Sequence, residues 1–264
     1  MKGMLGVVGV VATLYALLCG VLYFKQEKLL FAPTQLPAGH RFQFPGWFEE
    51  RWTTAADGTQ LHGLLFKVPQ PKGLVFYLHG NGGALDSWGS AAATYTALGY
   101  DVFALDYRGY GKSGGTITSQ AQLLADVDTA YQRLRSGYAE GRTVIIGYSL
   151  GTGPATWLAA RHHPKLLVLQ APYYSMRDMA ARHYPYIPRF VLRYPMPTNE
   201  LIARVSAPIV LFHGNRDEVI DHRSALRLKA LLKPTDELIV LPGARHNGIT
   251  GNPDYRRAIA RLLE

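Results

Sequence analysis

Two hydrophobic patterns divide this chain. Met4 to Phe24 runs without a charge, with Lys2 before it and Lys25, Glu27 and Lys28 behind it. As a helix rising about 1.5 Å per residue, the run is about 30 Å long, the thickness of a bilayer's hydrocarbon core. From Trp47 onward, short apolar runs alternate with helix-compatible stretches. That pattern predicts an α/β fold with a mostly parallel sheet covered by helices on both faces. Strands are expected at Leu61–Val68, Leu74–His79, Val102–Tyr107, Val144–Tyr148, Leu166–Leu169, Ile209–His213 and Leu238–Leu241. Several are continuous apolar runs, as in strands buried on both faces. The clearest helix begins at Ser119, where Gln122 completes a capping box. It carries Leu123, Val127, Tyr131 and Leu134 on one stripe and stops at Gly137.

The alternation breaks once, between Ala171 and Pro208, where the chain turns rich in Pro, Tyr and Arg and includes Tyr184, Tyr186, Phe190 and Tyr194. A connection this long is usually functional. Residues 172–204 are read as a small cap over the C-terminal edge of the sheet. The expected organisation is a transmembrane anchor over residues 4–24 and one α/β domain over residues 25–264, the cap included.

Composition fits this picture, since 264 residues with 48% hydrophobic content suffice for one large core. A cleavable signal peptide has a shorter apolar region, about 7–15 residues, followed by a small-x-small site. The sole cysteine, Cys19, lies inside the run, so the rest of the chain forms no internal disulfide, and Leu18 before it does not suit a lipidated cysteine. The reading is an uncleaved single-pass anchor placing the protein at a membrane. The flanking charges are too evenly matched to set its orientation. The net charge of +9 is scattered rather than gathered on a readout element, which argues against nucleic acid. A mild excess of arginine at Arg177, Arg182, Arg189, Arg193 and Arg204 over Asp178 and Glu200 suits anionic headgroups.

The chemistry concentrates at strand ends. Gly147-Tyr148-Ser149-Leu150-Gly151 follows a β-branched run and precedes a helix-compatible stretch. A serine on so tight a strand-to-helix turn has its hydroxyl thrust clear of the sheet, and the flanking glycines avoid the clashes of the turn. A serine hydroxyl needs a base, and the base needs an orienting group. Asp217 follows the strand ending at His213, and His246 follows the strand ending at Leu241. His79-Gly80-Asn81-Gly82-Gly83, directly after another strand, offers a backbone that approaches a developing oxyanion closely. The donors expected there are the N–H groups of Asn81 and Leu150, with His79 as a structural histidine behind the loop.

Together these segments, with Asp106-Tyr107-Arg108-Gly109-Tyr110-Gly111-Lys112-Ser113-Gly114, resemble the α/β-hydrolase superfamily. Within it the chain resembles the small membrane-anchored α/β-hydrolase-domain serine hydrolases, near the serine aminopeptidase-like branch. The resemblance covers about Trp47 to Glu264, plus the anchor, and includes the chain order Ser, Asp, His. It implies Ser149 as nucleophile, His246 as base and Asp217 as orienting acid, although Glu218 and Asp221 stand close enough in sequence to compete. Tyr148, Tyr173 and Tyr174 are expected to line the substrate site.

Two imitations are set aside. Gly109-x-Gly111-x-x-Gly114 satisfies a dinucleotide fingerprint, but Thr116-Ile117-Thr118 intervenes before the next helix, and Asp126 and Asp128 lie within that helix rather than at a strand end. Gly111-Lys112-Ser113 imitates the end of a P-loop, yet Asp106 stands where its first glycine belongs. His162 and His163 are expected to be exposed or to cap the helix after the serine. With no H-E-x-x-H and no cysteine cluster, neither metal nor cofactor is expected. The expected activity is hydrolysis of carboxylic esters or thioesters of a small-molecule or lipid-like acyl substrate. The alternatives are a peptidase or amidase of the same fold and a catalytically silent, membrane-tethered binding protein.

Overall fold

The computed structural model describes residues 2–139 and 141–264. Among them, eight strands form one sheet: β1 (Trp47–Thr54), β2 (Gln60–Lys67), β3 (Leu74–Leu78), β4 (Asp101–Leu105), β5 (Thr143–Tyr148), β6 (Leu166–Gln170), β7 (Ile209–Gly214) and β8 (Glu237–Leu241). Their spatial order is β8-β7-β6-β5-β3-β4-β2-β1. Pairing is parallel from β8 through β4, and β2 runs antiparallel to both β4 and β1. Each expected strand is present to within two residues at either end. β1 was not anticipated, because its edge sequence carries Glu49, Glu50 and Arg51 and leaves most positions in water.

Strands β3, β4, β5, β6 and β7 are buried at every position, as their unbroken apolar runs require. One core layer lies on each face. The N-terminal helix is α1 (Lys2–Lys25); Phe76, Leu78, Ile145, Leu167 and Leu211 pack on one side of the sheet against Leu123, Val127 and Tyr131 of helix α2 (Gln120–Arg135). Val75, Tyr77, Val144, Val168 and Phe212 pack on the other, against Tyr255, Ile259 and Leu263 of helix α6 (Pro253–Leu263). The remaining longer helices are α3 (Thr152–Ala159), α4 (Met176–His183) and α5 (Arg223–Lys229). The cap of α2 differs in one arm. Ser119 Oγ accepts from the N–H of Gln122 at 3.1 Å, but the Gln122 side chain reaches past Ser119 to the N–H of Thr118 at 2.9 Å.

The globular body begins earlier than the alternating pattern. Gln26 is buried, its Nε2 donating to the carbonyl of Val191 at 2.9 Å and its Oε1 accepting from the N–H of Arg193 at 2.8 Å. Phe31 is buried edge-on against Tyr194. Ala32–Pro33 then pair with Gly82–Gly83, and Gln35 bridges to Gly111. Residues 26–35 therefore belong to the body and are no linker. Helix α1 is apolar enough to cross a membrane over Met4–Lys25, and it is almost wholly exposed. Its C-terminal half runs beside the 172–204 insertion, where Tyr15 Oη donates to the carbonyl of Tyr186.

Candidate functional site

β5 delivers Ser149 at the middle of the sheet's C-terminal edge, and the chain turns at once into α3. Ser149 has φ +49°, a left-handed conformation rare outside glycine, which stores of order 1–3 kcal/mol of strain and aims the hydroxyl off the sheet. The flanking glycines are obligatory. A Cβ on Gly147 would lie 2.5 Å from the carbonyl of Gly151, and one on Gly151 would lie 2.1 Å from the carbonyl of Leu78. The turn can close only because neither carries a side chain.

Loops after β7 and β8 bring two more groups to the same edge. His246 Nε2 stands 3.0 Å from Ser149 Oγ, and His246 Nδ1 stands 2.8 Å from Asp217 Oδ2. The Asp217 Oδ1 atom accepts the N–H groups of Val219 and Ile220 at 2.9 and 2.8 Å. Burial raises the pKa of Asp217, yet hydrogen bonds from His213, His246 and Ile220 outweigh it and hold the carboxyl well below the usual carboxylate range. Of the competing acids, Asp221 is turned to the Arg223 N–H and to Arg182, and Glu218 reaches only the backbone N–H of His246, at 3.5 Å. Ser149 and His246 are 8% and 7% exposed, so the site is nearly covered by its own loops.

The loop after β3 lies against the serine. A Cβ built on Gly80 would be 3.6 Å from Ser149 Cβ. The Asn81 side chain is held away, its Oδ1 accepting from the Ala32 N–H at 3.1 Å and from Tyr110 Oη at 2.9 Å. His79 is completely buried between the rings of Trp88 and Tyr107, with Nδ1 at 2.7 Å from the Gly80 carbonyl. Burial lowers its pKa, against the pull of Asp106, so it is a neutral post for the loop.

The three tyrosines are not equivalent. Tyr173 is buried beneath the elbow, its hydroxyl donating to the Leu150 carbonyl at 3.2 Å. Tyr148 is buried beside the histidine loop, its hydroxyl bonded to the His246 carbonyl. Both hydroxyls are engaged by main-chain carbonyls and both rings are packed inside the body. Tyr174 is half-buried and stacks under the Arg227 guanidinium at 3.6 Å.

Sequence reasoning gave no role to His213 or Trp88. His213 is buried with Nε2 3.2 Å from Asp217 Oδ2, behind the acid. Trp88 covers the 79–83 loop, its Nε1 donating to the Gly82 carbonyl at 2.6 Å. A buried-type strand ending in histidine four residues ahead of the acid was the available signal for the first; nothing local signalled the second.

The imitation motifs resolve into structure. A Cβ on Gly111 would fall 2.0 Å from Asp106 Oδ2, so the glycine makes room for a carboxylate rather than a phosphate. Asp126 is consumed by buried Arg108, which pairs with it at 2.8 and 2.9 Å. His162 pairs with Asp128 at 2.6 Å, and His163 with Ser206 at 2.8 Å. Among the described residues, no three His, Cys, Asp or Glu side chains gather as a metal site.

The fold and this edge of the sheet define an α/β hydrolase. The family model for serine aminopeptidase, S33, matches residues 69–198. The α/β hydrolase domain-containing protein 17B of Xenopus laevis is 32% identical over 201 residues, 74% of this chain and 67% of that one. An uncharacterized protein of Mycobacterium tuberculosis (strain ATCC 25618 / H37Rv) is 31% identical over 248 residues, 90% of this chain and 87% of its own. The Pyrococcus furiosus esterase Pf2001 shares the fold, with TM-score 0.68 and 20% identity over 87% of this chain and 98% of its own. So does a Paleococcus ferrophilus monoacylglycerol lipase, with TM-score 0.60 and 21% identity over 77% and 98%. The chain belongs to the α/β-hydrolase superfamily.

Proposed function

We propose that this protein is a membrane-anchored serine hydrolase that cleaves carboxylic esters or thioesters through an acyl-enzyme intermediate. The observation that carries the reading is the unbroken line from Ser149 Oγ through His246 to Asp217 Oδ2, at 3.0 and 2.8 Å. In this reading Ser149 Oγ attacks the carbonyl carbon while His246 Nε2 takes its proton. The N–H groups of Leu150 and Asn81 hold the oxyanion, and His246 returns the proton to the departing alcohol or thiol. Water then repeats the steps on the acyl-serine and releases the acid. Asp217 stays ionised throughout, fixing the imidazole's orientation and balancing its positive charge. Acyl-ester chemistry is in keeping with the fold shared with an esterase and a monoacylglycerol lipase.

The match to the serine aminopeptidase model supports a second reading, peptide or amide cleavage, because the same machinery serves both.

Helix α1, apolar over Met4–Lys25 and exposed, supports membrane anchoring, since an exposed apolar surface of that length is stable only in a non-aqueous surround. Labelling by a fluorophosphonate probe, lost in Ser149→Ala, tests the nucleophile and separates the hydrolase from a silent binding protein. Turnover of an ester series of rising acyl length, beside aminoacyl amides, decides between the two reactions.

A further inference from the structure

The insertion presents a second apolar feature apart from Ser149. Residues 184–188 read Tyr-Pro-Tyr-Ile-Pro, an uncharged stretch. In the folded chain Tyr184, Tyr186 and Phe190 are 65%, 86% and 76% exposed, an unusual density of bare aromatic surface. The loop is tied to the helix beside it through the Tyr15 hydroxyl on the Tyr186 carbonyl, and Gln26, directly after that helix, grips Val191 and Arg193 just beyond the loop. Tyr15 stands ten residues before the end of α1 at Lys25, about 15 Å along its axis. A helix inserted in a bilayer therefore carries the loop down with it, well below the headgroups.

Beneath the loop lies a cavity of about 510 Å³, lined by Leu22, Leu29, Ala180, Ile187, Val191 and Leu192 among others, with Arg177 and Arg189 also in its wall. Its size is that of a small-ligand pocket, and its apolar walls beside two guanidinium groups complement a hydrocarbon tail below an anionic headgroup. Neither Ser149 nor His246 lines it.

We propose that the Tyr184–Phe190 loop is embedded in the bilayer beside α1, and that the cavity beneath it holds the acyl chain of a membrane lipid. The lipid seats the protein at the membrane; it is not the molecule being cleaved. The inference rests on the reading of α1 as membrane-embedded, and the experiment separates the two.

The single cysteine makes the test direct. On a Cys19→Ser background, nitroxides are placed by Val8→Cys, Tyr186→Cys and Phe190→Cys, and the full chain is reconstituted in phosphatidylcholine–phosphatidylglycerol vesicles. Collision with oxygen should exceed collision with a water-soluble nickel complex at all three positions. Water-accessible labels at 186 and 190 with a lipid-accessible label at 8 overturn this inference and leave the anchor. A water-accessible label at 8 overturns both. In parallel, a phosphatidylcholine carrying a mid-chain diazirine should crosslink to peptides from 22–30 and 177–192. Ala181 also lines the cavity, and Ala181→Trp, which fills it, should remove at least nine-tenths of that crosslinking without moving the melting temperature or the oxygen accessibility at position 8. Crosslinking confined to Met4–Leu14, or undiminished in Ala181→Trp, rules the cavity out.

Discussion

His213 Nε2 lies 3.2 Å from Asp217 Oδ2, the same oxygen that His246 Nδ1 meets at 2.8 Å. One carboxylate oxygen thus stands between two histidines. His213 Nε2 also lies 2.8 Å from the Ile220 carbonyl, while its Nδ1 is buried without a partner. This ring is a positioning residue, pinning the acid from behind. His213→Phe keeps the volume and removes the donor, at a cost of about 1.5–3 kcal/mol for a hydrogen bond to a charged group. The expected outcome is a kcat lower by about ten- to a hundredfold, with KM little changed. Equal loss in both constants, or none, would remove His213 from this role.

Ser149→Ala is expected to abolish probe labelling and ester turnover while leaving the melting temperature within a few degrees, since it deletes one hydroxyl. Asp217→Asn should cost about four orders of magnitude in kcat, because an amide favours the wrong tautomer of His246. Asp221→Asn, which alters a carboxylate facing Arg182, should be close to neutral. The reverse ranking of the two acids would reassign the orienting group.

The elbow glycines give a structural test. Gly151→Ala drives a methyl to 2.1 Å from the Leu78 carbonyl, a backbone atom with no room to retreat. Overpacking of this kind costs about 1–3 kcal/mol or more, which for a chain of this size lowers Tm by roughly 2–12 °C. Gly243→Ala, with nothing near its Cβ but φ +72°, should cost less. Calorimetry of the two variants checks the ranking.

Asp217 also links stability to pH. Its folded pKa is held below its unfolded value by the bonds from His213, His246 and Ile220, which together exceed the opposing effect of burial. A carboxyl shifted in that direction stabilises the fold fully above the unfolded value, about pH 4, and the contribution fades as pH falls through the folded value. Asp217→Asn should therefore be less stable than the parent at neutral pH, with the gap closing below about pH 4. Urea midpoints at three pH values would show this; a constant gap would mean that the charge contributes nothing to folding.

Much of this was legible because each functional group stands where an apolar run stops. The runs before Ser149, Asp217 and His246 mark strands, and strand ends in a parallel sheet share one edge, so distant residues could be expected to meet. What was illegible depends on single side chains. The hold on residues 26–35 comes from Gln26, Phe31 and two-residue bridges, which leave no periodicity. β1 is an edge strand whose charges hide its pairing. Tyr173 and Tyr186 stand in the same aromatic segment, yet one is buried and the other bare, a difference set by the neighbours each meets.

Strand order has a last consequence, for how the site fails. β5 lies between β3 and β6 and is buried along its length, whereas β8 is a margin strand with four of its five residues partly or wholly in water. Local opening costs most at the centre of a sheet and least at its rim, so the strand before His246 is expected to open at lower cost than the strand before Ser149. Val144–Gly147 amides should exchange far more slowly than those of Leu238–Leu241, and mild urea should extinguish turnover before it melts the sheet. On that expectation, peeling of the rim would carry off His246 first and leave Ser149 on its turn beside the 79–83 loop, without the imidazole that now stands 3.0 Å from its hydroxyl.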